Sequence, residues 1–138
     1  MPARDAIVAE ARSWIGTPFR WQASTKGLGA DCKGLIVGVA RALDLRSADS
    51  LHARMADYAT VEPRTLIDGL RANMDQVRGA EPGDVLVMTM KGKPMHLGIL
   101  GYDEIIHTYG AGPKRVIAMP VGVVLRRWPL HSAWAFRA

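Results

Sequence analysis

The sequence predicts an α+β fold in which N-terminal helices pack on an antiparallel sheet of about five or six strands. Two observations support this prediction. Apolar residues recur at helical spacing in the first half of the chain, whereas short apolar runs separated by turn residues follow from Glu81 onward. The 138 residues suit a single domain over 1–138, because a chain of this length can bury a sizeable core without disulfides or metals.

Three helices are predicted in the first half, each from an apolar stripe at helical spacing: Ala3 to Ile15, Asp31-Cys32 to about Leu45, and a helix that starts at Pro63. Gly16-Thr17-Pro18 ends the first helix, and Asp31 is a favourable N-cap for the second. Phe19 to Ala30 is predicted to be a loop and Asn73 to Ala80 a connector, whereas Ser47 to Glu62 receives no assignment.

Six short strands are predicted after the turn at Pro82-Gly83-Asp84. They are Val85 to Met90, Met95 to Gly101, Glu104 to Tyr109, Lys114 to Met119, Val123 to Trp128, and Ala133 to Arg137. The turns between them are too short for crossover helices, so neighbouring strands are expected to pair as hairpins in an antiparallel meander.

The net charge of +5 lies mostly in the second half of the chain. Met1 to Pro82 holds 11 basic and 10 acidic residues, whereas Gly83 to Ala138 holds 7 basic and 3 acidic residues. This excess favours an anionic polymer or an acidic substrate as the partner. Nucleic-acid binding is not predicted, because the basic residues form isolated pairs rather than dense clusters with interleaved aromatic residues.

No apolar run reaches the length of a membrane span, and the longest, Gly34 to Ala40, is followed at once by Arg41. Charged residues also interrupt the region where the apolar part of a signal peptide would lie: Arg4, Asp5, Glu10 and Arg12. We therefore expect a protein that is synthesised in the cytoplasm without a signal peptide.

Cys32 is the only cysteine, so no intrachain disulfide can form. It lies at the predicted start of a helix, where unpaired backbone N–H groups and the helix dipole stabilise a thiolate. The same N–H groups can bind an oxyanion. The alternative is a buried structural cysteine, and the position alone does not decide between the two.

A thiol nucleophile needs a base, and the base needs a partner that orients it. His96 begins one predicted strand and His107 ends the next, so an antiparallel hairpin brings both to the same end. We expect these two histidines to contact each other. His52, in a polar segment, and His131, near the C-terminus, are interpreted as residues without a role in this site.

Five motifs resemble those of NlpC/P60 cysteine peptidases and follow the same order along the chain. They are Gly16-Thr17-Pro18-Phe19, Asp31-Cys32-Lys33-Gly34-Leu35, Pro82-Gly83-Asp84-Val85, His96-Leu97-Gly98-Ile99 and Ile106-His107. Gln22-Ala23-Ser24 and the compact size resemble the phage-type branch, which includes tail-associated cell-wall peptidases of phages and gene transfer agents.

The resemblance implies a papain-like fold with Cys32 as nucleophile, His96 as general base and acid, and His107 orienting the imidazole of His96. It implies peptidoglycan peptide stems as substrate, cleaved between D-glutamate and the following diamino acid, with Asp31 binding a substrate amine. No metal or other cofactor is implied. The branch implies phage-like tail proteins as partners, and a final location on the tail of a particle.

Two positions depart from the family pattern. Phe19 replaces a tyrosine whose hydroxyl helps at the nucleophile, and Lys33 replaces a serine. Lys33 either lowers the pKa of the thiol or is a solvated helix residue. With Phe19 lacking a donor, the oxyanion donors are predicted to be the backbone N–H of Cys32 and a side chain of the same loop, Gln22 or Trp21. Gln22 is favoured over Trp21 as this donor, and the alternative is that Gln22 only holds the loop.

Three further interpretations stay open beside the tail-borne peptidase. The same Cys/His site could serve an acyltransferase or amidase, or the fold could be a non-catalytic tail or wall-binding module. Cys32, His96 and His107 are also acceptable zinc ligands, although the sequence offers no evident fourth ligand.

Overall fold

The computed structural model of the protein describes residues 3–46 and 63–138, with helices in the first half and mostly strands in the second. The helices are α1 (Arg4–Arg12), α2 (Cys32–Ala42), α3 (Pro63–Asn73) and α4 (Val121–Arg127). The strands are β1 (Ser24–Thr25), β2 (Gly29–Ala30), β3 (Asp75–Val77), β4 (Val85–Met90), β5 (Lys93–Leu100), β6 (Glu104–His107), β7 (Ile117–Pro120) and β8 (Leu130–Ala135). None of the described helices is long and apolar enough to cross a membrane.

Six strands form one antiparallel sheet in the order β3-β8-β4-β5-β6-β7. From β4 to β7 the strands follow one another as the predicted meander. The prediction is wrong for the last strand, because β8 returns to the other side of β4 and β3 pairs outside it. The predicted α+β class, with an antiparallel sheet of five or six strands, is therefore confirmed. The first three helices are confirmed as well, with ends a few residues shorter for the first two. The unassigned segment from Ser47 to Glu62, which contains His52, lies outside the described residues.

Three local predictions are wrong. The strand predicted from Val123 to Trp128 falls largely within α4, which begins after Pro120. Its β-branched residues favour a strand locally, but a helix places Val124 and Trp128 on the same buried face. The predicted connector 73–80 contains β3, and the predicted loop 19–30 contains the hairpin of β1 and β2.

The sheet separates two apolar clusters, and β4 contributes to both because its side chains alternate between the two faces. Val85 and Val87 belong to the first cluster, together with buried residues of α1, α2 and α3. Leu86 and Met88 belong to the second cluster, which Val124 of α4 completes. The two faces of the sheet are thus covered by different elements, and β5 and β6 carry residues toward each of them.

Candidate active site

Cys32 is the first residue of α2 and lines a cleft of about 650 Å³. Its residue surface is only 2% exposed. The first N–H groups of a helix have no partner within the helix, so this position favours a thiolate or a bound oxyanion. The helix start that the sequence predicts for Cys32 is confirmed.

Asp31 and Gly34 hold the start of α2 against the preceding loop. Asp31 accepts a hydrogen bond from the Gly34 N–H through Oδ1 at 2.7 Å and one from the Gln22 N–H through Oδ2 at 2.8 Å. A Cβ on Gly34 would lie 1.8 Å from the carbonyl oxygen of Ala23, so the loop approaches this closely only because residue 34 is glycine. Both oxygens of the buried Asp31 thus accept hydrogen bonds from backbone N–H groups. The contact of Asp31 with a substrate amine stays a prediction.

His96 on β5 and His107 on β6 form a buried pair. His96 Nε2 lies 2.9 Å from His107 Nδ1, and the two residues are 1% and 0% exposed. The contact expected from the hairpin geometry is confirmed. Because Leu97 and Ile106 belong to the first apolar cluster, alternation places both imidazoles on the opposite face, with the second cluster.

Two aromatic side chains connect this pair with the cleft. Tyr109 stacks on His107 with ring centroids 5.6 Å apart, and the centroid of Trp128 lies 4.9 Å from that of His96. Both aromatic residues line the same cleft as Cys32. The histidine pair therefore contacts two aromatic side chains of the cleft that Cys32 lines.

Arg127 places a cation at this aromatic wall. Its Nη1 donates a hydrogen bond to the Tyr109 hydroxyl at 3.1 Å, and its guanidinium lies 4.5 Å from the centroid of the Trp128 ring. Burial lowers the pKa of His96 well below the usual 6.5, and His107 and Arg127 lower it further. Burial and Arg127 likewise lower the pKa of His107. Both imidazoles are consequently neutral at pH 7, the form in which a histidine can accept a proton.

These shifts predict that the protein loses stability as the pH falls below the ordinary histidine pKa of 6.5. The unfolded chain binds protons at these residues from about pH 6.5 downward, whereas the folded pair stays neutral, so acid favours unfolding. The unfolding free energy should fall by up to about 1.4 kcal/mol per pH unit for each histidine. Urea titrations between about pH 7 and pH 5 should show this slope reduced in the double variant His96→Gln/His107→Gln. Equal slopes in the two proteins would contradict the prediction.

The other predicted site residues occupy different environments. Trp21 is 59% exposed and lines the cleft beside Phe19, whereas the side chain of Gln22 is exposed and its backbone N–H binds Asp31. Lys33 is only 4% exposed, so its interpretation as a solvated helix residue is wrong.

His131, one of the two histidines outside the predicted site, does not join the His96–His107 pair, and no metal site is found in the described residues. His131 lies on the exposed part of β8, with Nδ1 2.9 Å from the Ser132 hydroxyl oxygen, and His52 lies outside the described residues. Within residues 3–46 and 63–138, no group of three or more His, Cys, Asp or Glu side chains is arranged to hold a metal ion. The zinc alternative therefore finds no ligand set in that part of the chain.

Four residues near the histidines were missed from the sequence. Tyr109 follows His107 by two positions, a spacing that could have suggested a shared face. The positions of Arg127 and Trp128 at the site could not be recognised, because their segment is predicted as a strand whereas it forms the end of a helix. Met119, whose Sδ lies 3.3 Å from His107 Nε2, gave no signal in the sequence.

The comparisons with known structures agree on one fold. The NlpC/p60 domain of the peptidoglycan hydrolase SagA is 25% identical with a TM-score of 0.61, covering 96% of this chain and 98% of that one. An NlpC/P60 family protein from Bacillus cereus ATCC 10987 is 19% identical with a TM-score of 0.68, covering 99% of this chain and 40% of that one. NlpC2 from Trichomonas vaginalis is 17% identical with a TM-score of 0.68, covering 98% of this chain and 48% of that one. The chain thus spans less than half of the latter two proteins, whose similarity concerns the fold alone.

A search of curated proteins finds no significant match. The comparison with sequence models of families gives the same assignment as the structures. A sequence model described as the NlpC/P60 family matches residues 16–120, a range that includes Cys32, His96 and His107 but ends before Arg127 and Trp128. The match covers more than half of the chain, and the fold predicted from the motifs is the one observed. The chain belongs to the NlpC/P60 family.

Proposed function

We propose that the protein is a cysteine peptidase that hydrolyses peptide stems of bacterial peptidoglycan. The observation that carries the proposal is the buried His96–His107 pair, whose nitrogens are 2.9 Å apart, beside the cleft lined by the helix-start thiol of Cys32. The similar SagA domain belongs to a protein described as a peptidoglycan hydrolase, which supports this substrate class. We further propose that Cys32 Sγ contacts His96 Nδ1.

In this mechanism, His96 Nδ1 takes the proton of the Cys32 thiol as Sγ attacks the scissile carbonyl carbon. The tetrahedral intermediate collapses when the C–N bond breaks and His96 returns the proton to the leaving amine. Water then attacks the thioester, again losing a proton to His96, and the acid product and the free thiol are released. His107 orients His96 throughout, because its Nδ1 contacts His96 Nε2 and leaves Nδ1 of His96 for the thiol proton.

The oxyanion of the intermediate is proposed to bind the Cys32 backbone N–H and one donor of the preceding loop. Gln22 is the favoured donor and Trp21 the alternative, since Phe19 has none. We expect Gln22→Ala to lower kcat by roughly 10²–10³ without unfolding the protein, and Phe19→Tyr to restore part of the loss. Normal turnover by Gln22→Ala together with a crippled Trp21→Phe variant would assign the donor to the indole instead.

Arg127 is proposed to bind a carboxylate of the peptide stem at the mouth of the cleft. Its guanidinium is exposed and held by Tyr109 and Trp128, and no described carboxylate forms a salt bridge with it among residues 3–46 and 63–138. The D-glutamate of the proposed cleavage site carries such a carboxylate. This contact would favour the bond between D-glutamate and the following diamino acid.

We expect Arg127→Gln to raise KM about 10- to 100-fold for stems with a free D-glutamate carboxylate, because a charge-assisted hydrogen bond is lost. For stems in which that carboxylate is amidated, the variant should have the same KM as the wild type. Arg126→Gln is the matched control, since Arg126 is exposed and bonds only the Gly122 carbonyl oxygen among the described contacts. An equal KM increase for both kinds of stem would refute the carboxylate contact.

The site of action is proposed to be the tail of a phage-like particle, reached after synthesis in the cytoplasm. The support is the resemblance of Gln22-Ala23-Ser24 to the phage-type branch and the excess of basic residues after Pro82, which suits an anionic wall. Immunodetection of the protein in purified particles, with tail proteins recovered alongside it, would test this location. Its exclusive recovery outside particles would contradict it.

Digestion of purified muropeptides followed by mass spectrometry tests the proposed function. Hydrolysis should add one water across a single stem amide and release a new carboxyl and a new amine terminus. Products joined to an added amine would favour an acyltransferase, and release of the whole stem from the glycan would favour an amidase. A thiol that reacts with iodoacetamide but never turns over substrate would favour a non-catalytic module.

A further inference from the structure

We propose that Met119 is a positioning residue that selects the tautomers of both site histidines. Its thioether Sδ lies 3.3 Å from His107 Nε2, and His107 Nδ1 lies 2.9 Å from His96 Nε2. The three side chains therefore form one chain of contacts that leads from β7 through β6 to β5. The proposal rests on the function proposed above only in assigning the thiol proton to His96.

The chemistry of sulfur fixes the direction of the hydrogen bonds. A thioether carries lone pairs but no hydrogen, so Met119 can only accept. A neutral His107 bonds to it only when its proton is on Nε2, and its Nδ1 is then an acceptor. The neighbouring Nε2 of His96 must then donate. A neutral imidazole has one N–H, so Nδ1 of His96 is left with the lone pair that a general base requires.

The opposite arrangement would disable the site. If His107 carried its proton on Nδ1, its Nε2 lone pair would face the sulfur lone pairs of Met119, and the contact would be lost. His96 Nε2 would then accept rather than donate. The single proton of His96 would move to Nδ1, where the imidazole could no longer accept the thiol proton.

Because the histidine pair is buried, its tautomers depend on Met119. His107 is 0% exposed and His96 is 1% exposed, so bulk water does not compete as an acceptor for either ring. The tautomer then depends on the side chains in contact with the pair. Tyr109 and Trp128 present aromatic rings, while Arg127 opposes protonation of both imidazoles.

The sheet register explains why Met119 can reach His107. Ile105 pairs with Met119 across the antiparallel β6–β7 ladder, and His107 lies two residues after Ile105 on the same face. Diagonal neighbours of this kind lie within reach of long side chains. The flexible, unbranched side chain of methionine suits this contact, because it can extend toward the buried ring.

The arrangement also holds during turnover. When His96 accepts the thiol proton, it becomes an imidazolium that donates from both nitrogens. Its Nε2–H keeps the same acceptor, His107 Nδ1, so no second proton has to move. Met119 therefore sets the direction before the reaction and takes no part in the proton transfer.

Long-range ¹H–¹⁵N correlation spectra at neutral pH, recorded without substrate, test the proposal directly. In the wild type, both His96 and His107 should be neutral with the proton on Nε2. In Met119→Leu, which keeps the volume but removes the acceptor, signals of the Nδ1–H tautomer should appear for both rings. Met119→Gln, which offers an amide oxygen, should retain the wild-type pattern. Met74→Leu is the matched control, since Met74 is buried in the first apolar cluster.

Kinetics provide the second readout. We expect kcat for muropeptides to fall roughly threefold to tenfold in Met119→Leu, with KM unchanged and with recovery in Met119→Gln, because one hydrogen bond is lost and restored. An Nδ1–H tautomer of His107 in the wild type, or unchanged tautomers in Met119→Leu, would overturn the proposal. Since the spectra need no turnover, Nε2–H tautomers in a protein that hydrolyses nothing would refute the proposed function while supporting the role of Met119.

Discussion

Cys32→Ala is expected to abolish hydrolysis of muropeptides while the protein stays folded. In the proposed mechanism the thiol forms the bond to the scissile carbonyl carbon, and no other cysteine exists to replace it. Nucleophile and base act as one unit, and removal of the nucleophile from such a unit costs on the order of 10⁶ in kcat. Mass spectrometry of digests with a large excess of variant enzyme is sensitive enough to measure such a loss.

The fold should survive this change because the Asp31 and Gly34 contacts that start α2 are kept. The Asp31 carboxylate still accepts the Gly34 N–H, and Gly34 still permits the approach of Ala23. Loss of a small buried group typically costs about 1 kcal/mol, which circular dichroism during heating would register as a modest drop in Tm. Cys32→Ser is the matched control for size, and it should be almost as inactive because a hydroxyl is a much weaker nucleophile than a thiol. Near-wild-type cleavage by either variant would refute the peptidase mechanism.

The parts of the fold that sequence predicts well are those in which local pattern and tertiary burial agree. Val85–Met90 was predicted residue for residue, because an apolar run bounded by Pro82-Gly83-Asp84 and Lys91 suits a buried strand. The start of α2 is also predicted correctly, because Asp31 is a favourable N-cap residue and is the N-cap in the structure. Local and global preferences coincide at these places.

The failures occur where tertiary contacts override the local signal. Val121 to Leu125 is rich in β-branched residues, yet the helix buries Val124 and Trp128 against the second face of the sheet. β3 is three residues long and mostly exposed, so it has no apolar pattern, and only its pairing with β8 makes it a strand. Neither partner can be recognised from the segment itself.

The same distinction applies to the candidate site. His96 and His107 could be paired from the sequence because a hairpin relates them by simple geometry. The neighbours that define their electrostatics come from other elements, and Arg127 approaches only because α4 ends beside Tyr109. The burial of Lys33 could not be predicted from the sequence either, since a lysine on a helix is usually solvated and this one is buried.

His96→Ala is expected to be nearly as damaging as Cys32→Ala, whereas the cost of replacing His107 should depend on the replacement. His96 supplies the nitrogen that accepts the thiol proton and later returns it to the leaving amine, so its loss stops both steps, with a drop in kcat of at least about 10⁴. His107→Ala removes the acceptor of the His96 Nε2–H and should cost roughly 10- to 100-fold.

His107→Asn should retain more activity than His107→Ala, because an amide oxygen can still accept the Nε2–H of His96 and hold its Nδ1 as the basic nitrogen. Single-turnover rates at neutral pH separate these effects from product release, and thermal melts exclude unfolding as the cause. His131→Ala is the matched control, since His131 lies on the exposed part of β8, bonded only to Ser132 among the described contacts, and should remain near wild type. An essential His131, or a His107→Ala variant as inactive as His96→Ala, would show that the two hairpin histidines do not divide the work as base and orienting partner.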